Sequence, residues 1–98
     1  MRNIAEFKKT LTNEFPDVAL SAQVKALWYD GKGAWDKAHK LVDHLNDQES
    51  AHVHAYLHRK EGDGFNAGYW YRKAGQTFPS QSLDQEWEEL VLKFLSVK

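Results

Sequence analysis

The sequence contains no cysteine and only two prolines, and neither sign of charge is in excess. Among its 98 residues, 13 Lys and Arg stand against 14 Asp and Glu, which gives a formal net charge of −1. The lack of cysteine excludes disulfides, cysteine-zinc sites and thiol catalysis. The balanced charge argues against a nucleic-acid partner, because phosphate recognition needs a net basic face.

Long hydrophobic runs are also absent, so the sequence predicts no membrane-spanning segment and no membrane partner. The first six residues, Met1–Glu6, are too polar for a secretory signal, and we therefore expect a cytoplasmic protein. With 42% hydrophobic residues, a chain of this length is expected to form one domain, residues 1–98, around its own core.

Apolar residues recur at helical spacing along most of the chain, and no segment alternates as a strand does. Glycines at 31, 33, 62 and 64 are expected to end helices, and Ser82 with Gln85 fits a capping box. The second helix has two candidate caps, Asp17 and Ser21. Short loops predict antiparallel neighbours, so we expect an all-α fold of helical hairpins. The predicted helices span about residues 3–13, 17 or 21 to 30, 34–45, 49–61, 66–75 and 82–96.

The chain repeats itself once. A shift of 29 residues places Val24 on Val53 and Gly33 on Gly62, and each unit then reads as helix, glycine turn, helix. The two units cover about residues 21–49 and 50–79. The same shift superposes three pairs of alanines: Ala22 with Ala51, Ala26 with Ala55, and Ala38 with Ala67. Their small side chains allow close approach, so we expect Ala55 to pack on Ala67 across its hairpin and Ala26 on Ala38.

The second unit resembles a tetratricopeptide repeat. Ala67, Tyr71, Ala74 and Pro79 match the spacing of the second helix of that family, and residues 66–74 resemble its shorter SEL-type relatives. The period of 29 is shorter than the usual ~34. The resemblance implies a tetratricopeptide-like array in which the first and last helices, about 3–13 and 82–96, act as caps.

Three further segments, at residues 26–28, 35–39 and 54–63, resemble those of a group of small bacterial proteins of uncharacterised function. That likeness implies no activity.

The tetratricopeptide resemblance implies a non-enzymatic module that binds a protein or peptide and needs no cofactor. In that family the first helix of each repeat lines the binding groove. The Lys and Asn clamp that holds a peptide carboxylate is missing here, so a peptide C-terminus is not implied. A homodimer that fills its own groove is an open alternative. The matching groove positions are Gln23, Leu27, Asp30, His52, Tyr56 and Arg59.

The histidines offer a second hypothesis from another class. His54 and His58 lie one helical turn apart, which is a metal-chelating spacing, and His39 lies on the packing face of the preceding helix. If the three converge, the chain is a small metal-binding or catalytic protein that holds a divalent transition metal. The alternative is three core histidines that neighbouring polar groups satisfy. No HExxH motif or phosphate-binding glycine loop is present, which favours a non-enzymatic function.

Overall fold

The computed structural model describes residues 3–95, and every regular element among them is helical. The predicted all-α class is therefore confirmed. Within this described part of the chain, no helix is long and apolar enough to cross a membrane. A 3₁₀ turn at residues 10–12 follows the first helix. The helices are α1 (Ile4–Lys9), α2 (Ala22–Gly31), α3 (Trp35–Val42), α4 (Gln48–Lys60), α5 (Gly64–Lys73) and α6 (Leu83–Leu95).

At the start of most of these helices, a polar side chain accepts a hydrogen bond from the backbone N–H three residues further on. This bond satisfies one of the free donors of the first turn. Ser21, and not Asp17, caps α2. Ser82 and Gln85 form the predicted reciprocal capping box at α6. The caps are Asn3, Ser21, Asp47, Asp63 and Ser82.

Glycines in the left-handed conformation follow α2 and α4, as predicted. Gly33 has φ 84° and Gly62 has φ 88°, values that a residue with a Cβ adopts only with strain. Gly31 instead remains within α2. A Cβ there would lie 3.0 Å from the Trp87 ring, so this glycine permits the close approach of α6.

Some helix ends differ from the sequence prediction. α5 begins at Gly64 and not at Asn66, because the Asp63 cap draws Gly64 into the first turn. α3 ends at Val42, three residues before the expected Leu45. The end of the last predicted helix, Ser96, lies outside the described residues.

Neighbouring helices pack in the order expected for two hairpins, α2 with α3 and α4 with α5. The indole N–H of Trp35 donates to Leu57 O at 2.8 Å, and His39 contacts His54, so α3 runs antiparallel to α4. Gln23 on α2 donates to Ser50 at the start of α4. The resemblance to tetratricopeptide repeats stays a prediction, since such packing is common to many all-α folds.

The C-terminal helix α6 lies across α2 and α4 and also contacts α1. Trp87 is its main anchor, because its indole N–H donates to Leu27 O at 2.9 Å and its ring lies 5.8 Å from that of Phe7. Trp28 is fully buried beneath this layer and donates to Thr10 Oγ1. The main core thus includes side chains of α1, α2, α3, α4 and α6.

A smaller cluster joins α4 to α5, where Ala55 and Ala67 are fully buried beside Tyr71. The expected packing of these two alanines is therefore confirmed. We expect Ala55→Leu and Ala67→Leu each to lower the free energy of unfolding by roughly 1–3 kcal/mol, because extra methyl groups overpack a close helix crossing. Chemical denaturation measures this loss.

Gly68→Ala on the same helix is the matched control. An added Cβ there meets only the end of the Arg72 side chain, at 3.6 Å, so this change should stabilise α5 slightly. Leucine variants that unfold at the wild-type denaturant concentration would contradict the packing described.

Candidate functional site

The six predicted groove residues do not line an open groove. Leu27, Asp30 and Tyr56 are buried, and the other three are half-buried. Tyr56 donates its hydroxyl to Asp30 at 2.7 Å, and Lys60 forms an ion pair with the same carboxylate at 2.9 Å. Burial and the Asp30 charge raise the pKa of Tyr56, so its hydroxyl remains a donor. These polar groups satisfy one another within the protein.

Helix α6 covers this face with a second buried ionic group. Glu86, 3% exposed, accepts from Arg59 at 2.8 Å and from the Tyr71 hydroxyl at 2.6 Å. Arg59 also donates to Gln81 O. His52 Nε2 lies 3.9 Å from the same Glu86 carboxylate. The predicted groove positions are thus used to hold α6.

The groove that the sequence analysis expects is therefore not accessible, because the apolar face of α6 occupies it. A cavity of about 340 Å³ remains beside Asp30, Tyr56 and Trp87. That volume is in the range of a small-molecule pocket and far below that of a docked peptide helix. Partner binding by the six residues stays a prediction that requires α6 to move.

The three histidines singled out in the sequence do converge. One ring nitrogen of each of His39, His54 and His58 lies within 4.8 Å of one nitrogen of each of the others. The Nε2 atoms of His39 and His54 are 2.9 Å apart, and the rings of His54 and His58 are stacked at 4.8 Å. α3 supplies the first ring and one turn of α4 supplies the other two. The cluster therefore bridges the two predicted repeat units.

Carboxylates face the outer nitrogens of two of these rings. His58 Nδ1 lies 2.7 Å from Glu61 Oε2, and His39 Nδ1 lies 3.6 Å from Asp43 Oδ2. The 2.7 Å contact favours a proton on Nδ1 of His58, which leaves its Nε2 with a lone pair for an electrophile. The 3.6 Å contact of His39 is longer than a hydrogen bond, so Asp43 favours the same tautomer of His39 less strongly.

His54 differs from the other two histidines. It is 4% exposed, and its buried Nδ1 has no hydrogen-bond partner. Its Nε2 shares one hydrogen bond with His39 Nε2, and one of the two rings supplies the proton. A buried ring that satisfies one nitrogen out of two is an exception to the usual pairing of buried polar groups.

Burial keeps His39 and His54 neutral. It lowers the pKa of His54 from 6.5 to about 4, with further lowering by the neighbouring His39 and His58. Burial also lowers the pKa of His39, while the nearby Asp43 opposes this shift. Metal ligation requires neutral imidazole, so these rings are in the correct form near neutral pH.

Two tryptophans hold the ligand rings in place. Trp35 stacks on His39 with ring centroids 4.8 Å apart, and Trp70 stacks on His54 at 4.0 Å. The indole of Trp35 is itself fixed by its hydrogen bond to Leu57 O. Both imidazoles are therefore oriented by packing before any ligand arrives.

A tetrahedral ion with metal–nitrogen distances of about 2.0 Å separates its ligand nitrogens by roughly 3.3 Å. The His39–His54 pair, at 2.9 Å, therefore has to open by a few tenths of an ångström to admit one. Three histidines leave the fourth position open to water or an external ligand.

A second group, made of His58, Glu61 and Asp63, also has metal-like spacing. Asp63 is already engaged, because both of its carboxylate oxygens accept from Asn66 at the start of α5. Glu61 is accounted for by its bond to His58. The three-histidine group is the better candidate.

Sequence reasoning identified the three rings but missed their neighbours. Helical spacing places Trp35 and Trp70 on apolar faces but does not show that they stack on His39 and His54. Glu61 and Asp43 lie three and four residues after the histidines that they contact, so helical spacing alone contained that signal. His44 is 69% exposed and lies outside the cluster. Comparisons of the chain with protein-family models, curated proteins and solved structures found no match.

Proposed function

We propose that this protein binds a transition-metal ion through His39, His54 and His58. The observation that supports the proposal is the convergence of three ring nitrogens within 4.8 Å of one another across two helices. Imidazole is a ligand that Zn²⁺, Cu²⁺ and Ni²⁺ accept readily.

The alternative, a purely structural histidine cluster, accounts less well for the hydrogen bonding. Glu61 favours the proton of His58 on Nδ1, and His39 and His54 share a single hydrogen bond between their Nε2 atoms. The buried Nδ1 of His54 is left without a partner. A cation at the centre accepts all three lone pairs once His54 carries its proton on Nδ1.

The first experiment is a titration of metal-free protein with Zn²⁺, Ni²⁺ or Cu²⁺. We expect one equivalent to bind and to raise the melting temperature, because an ion that binds only the folded state stabilises it by about 2.7 kcal/mol at 100 times Kd. Cu²⁺ should also quench tryptophan fluorescence, since Trp35 and Trp70 stack on the ligand rings.

Two histidine variants make the titration specific. His54→Ala should abolish the melting shift, and His39→Ala, at a more exposed position, should do the same if the first variant folds poorly. His44→Ala is the matched control, because that ring is exposed and outside the cluster. Retention of the wild-type affinity in both cluster variants, or no binding by the wild type, would contradict the proposal.

A protein-binding function is a second proposal, and the observation that favours it is on α5 and not in the closed groove. Phe65 is 86% exposed and Tyr69 is 46% exposed, one helical turn apart. Exposed aromatic side chains are enriched at protein interfaces. We expect a protein partner, if one binds, to contact this face of α5.

A further inference from the structure

Each carboxylate that faces a ligand histidine lies one helical turn away on the same stretch of chain. Glu61 follows His58 by three residues, and Asp43 follows His39 by four. Their oxygens face Nδ1, and in His39 this is the ring nitrogen opposite the one that contacts His54. This is the arrangement in which an outer carboxylate orients a metal-bound imidazole and raises its basicity.

We infer that Glu61 and Asp43 are positioning residues that make the three-histidine site select a divalent ion over a monovalent one such as Cu⁺. The inference rests on the proposed function, because it concerns the ion held by the same three rings. Glu61 has the larger part, since its contact is 2.7 Å and that of Asp43 is 3.6 Å.

The charge balance of the site supports this selection. The two carboxylates in contact with the rings contribute two negative charges, and Asp63 lies within 4.8 Å of His58 as well. A divalent ion compensates the charges of the two contacting carboxylates, whereas a monovalent ion leaves one of them uncompensated. Coulomb energy scales with the product of the charges, so each carboxylate stabilises a divalent ion about twice as much as a monovalent ion.

The assignment of Glu61 as a positioning residue, and not a ligand, follows from its contacts. Its Oε2 faces His58 Nδ1, and the third member of that group, Asp63, caps α5 with both oxygens. Glu61 is 38% exposed and Asp43 is 37% exposed, so added salt should weaken their effect on the bound ion.

The test compares the affinities of wild type and variants for Zn²⁺ and, under anaerobic conditions, for Cu⁺, each measured by competition with a chromophoric chelator. Glu61→Gln keeps an oxygen that accepts from His58 but removes the charge. We expect it to weaken Zn²⁺ binding about 10- to 100-fold. Because the effect on a monovalent ion is half as large on a logarithmic scale, Cu⁺ binding should weaken only about 3- to 10-fold. Asp43→Asn should weaken both affinities less than Glu61→Gln does, and its effect on Cu⁺ should again be half that on Zn²⁺ on a logarithmic scale.

Asp47→Asn is the matched control, because asparagine also caps a helix and Asp47, at the start of α4, bonds to Ser50 and Gln23 and not to the histidines. It should leave both affinities unchanged. Unchanged Zn²⁺ affinity in Glu61→Gln, or equal losses for Zn²⁺ and Cu⁺, would overturn the inference while leaving the histidine site intact. A large loss in Asp63→Asn would instead make Glu61 and Asp63 ligands. Absence of binding by the wild type would overturn the proposed function itself.

Discussion

Glu86→Ala is expected to lower the free energy of unfolding by about 3–5 kcal/mol, because it removes one partner of a buried ion pair. Glu86 is 3% exposed and accepts from both Arg59 and Tyr71. Without the carboxylate, the Arg59 guanidinium keeps its bond to Gln81 O but loses its ionic partner, and the Tyr71 hydroxyl loses its acceptor. The same carboxylate and burial raise the pKa of Tyr71, so its hydroxyl stays a donor. Urea denaturation measures the loss.

Glu86→Gln keeps the shape and one acceptor, so it should destabilise less and remain measurable if the alanine variant fails to fold. Glu89→Ala is the control on the same helix, since Glu89 is exposed and bonds only to the Gln81 side chain. It should change stability by no more than about 0.5 kcal/mol. Equal effects of Glu86→Ala and Glu89→Ala would show that α6 is not held through this pair.

The metal-free protein should lose stability as the pH falls from about 6.5 to about 4. Burial, with the Lys93 charge, lowers the pKa of His52 from 6.5 to about 4, and burial lowers that of His54 to the same value. Below pH 6.5 the unfolded chain therefore binds protons that the folded protein excludes. The full free energy of unfolding is present above pH 6.5, and by pH 5 roughly 2 kcal/mol of it is lost for each histidine.

Denaturation at several pH values, with a chelator present throughout, measures this dependence free of competition by metal. His52→Gln should remove about half of the loss between pH 7 and pH 5. His44→Gln, at an exposed position, should leave it unchanged. A free energy of unfolding that is constant over this range would mean that both buried rings accept protons without cost.

Much of the fold was predictable because the signals are local. A helix often starts where a side chain accepts a hydrogen bond from the backbone three residues further on. The sequence therefore identifies Ser21 as a candidate cap and Ser82 with Gln85 as a capping box. The turn glycines, Gly33 and Gly62, are required by the left-handed backbone that ends each first helix. These effects act within four residues and need no tertiary information.

The closure of the groove was not predictable in this way. Trp87 and Glu86 fit the pattern of any amphipathic helix. Their partners lie 15 to 60 residues away in the sequence, and no local signal identifies them. Trp87 bonds to Leu27, and Glu86 bonds to Arg59 and Tyr71. A pattern of apolar residues shows which face of a helix is buried but not what covers it.

The histidine cluster lies between these two cases. The spacing of His54 and His58 fixed their shared face, and the predicted packing of adjacent helices brought His39 toward them. The rotation of α3 and α4 about their axes, which decides whether the nitrogens converge, depends on tertiary contacts such as the bond from Trp35 to Leu57 O. The convergence was therefore a hypothesis from the sequence and an observation in the structure.

X-ray absorption spectroscopy of the protein loaded with one equivalent of Zn²⁺ tests the central claim most directly, because it reports the ligands of the ion itself. We predict three imidazole nitrogens at about 2.0 Å and one oxygen ligand in the open position. In His54→Ala, one imidazole should disappear from the spectrum. A shell dominated by oxygen, or an unchanged spectrum in His54→Ala, would show that the ion binds elsewhere and would contradict the account.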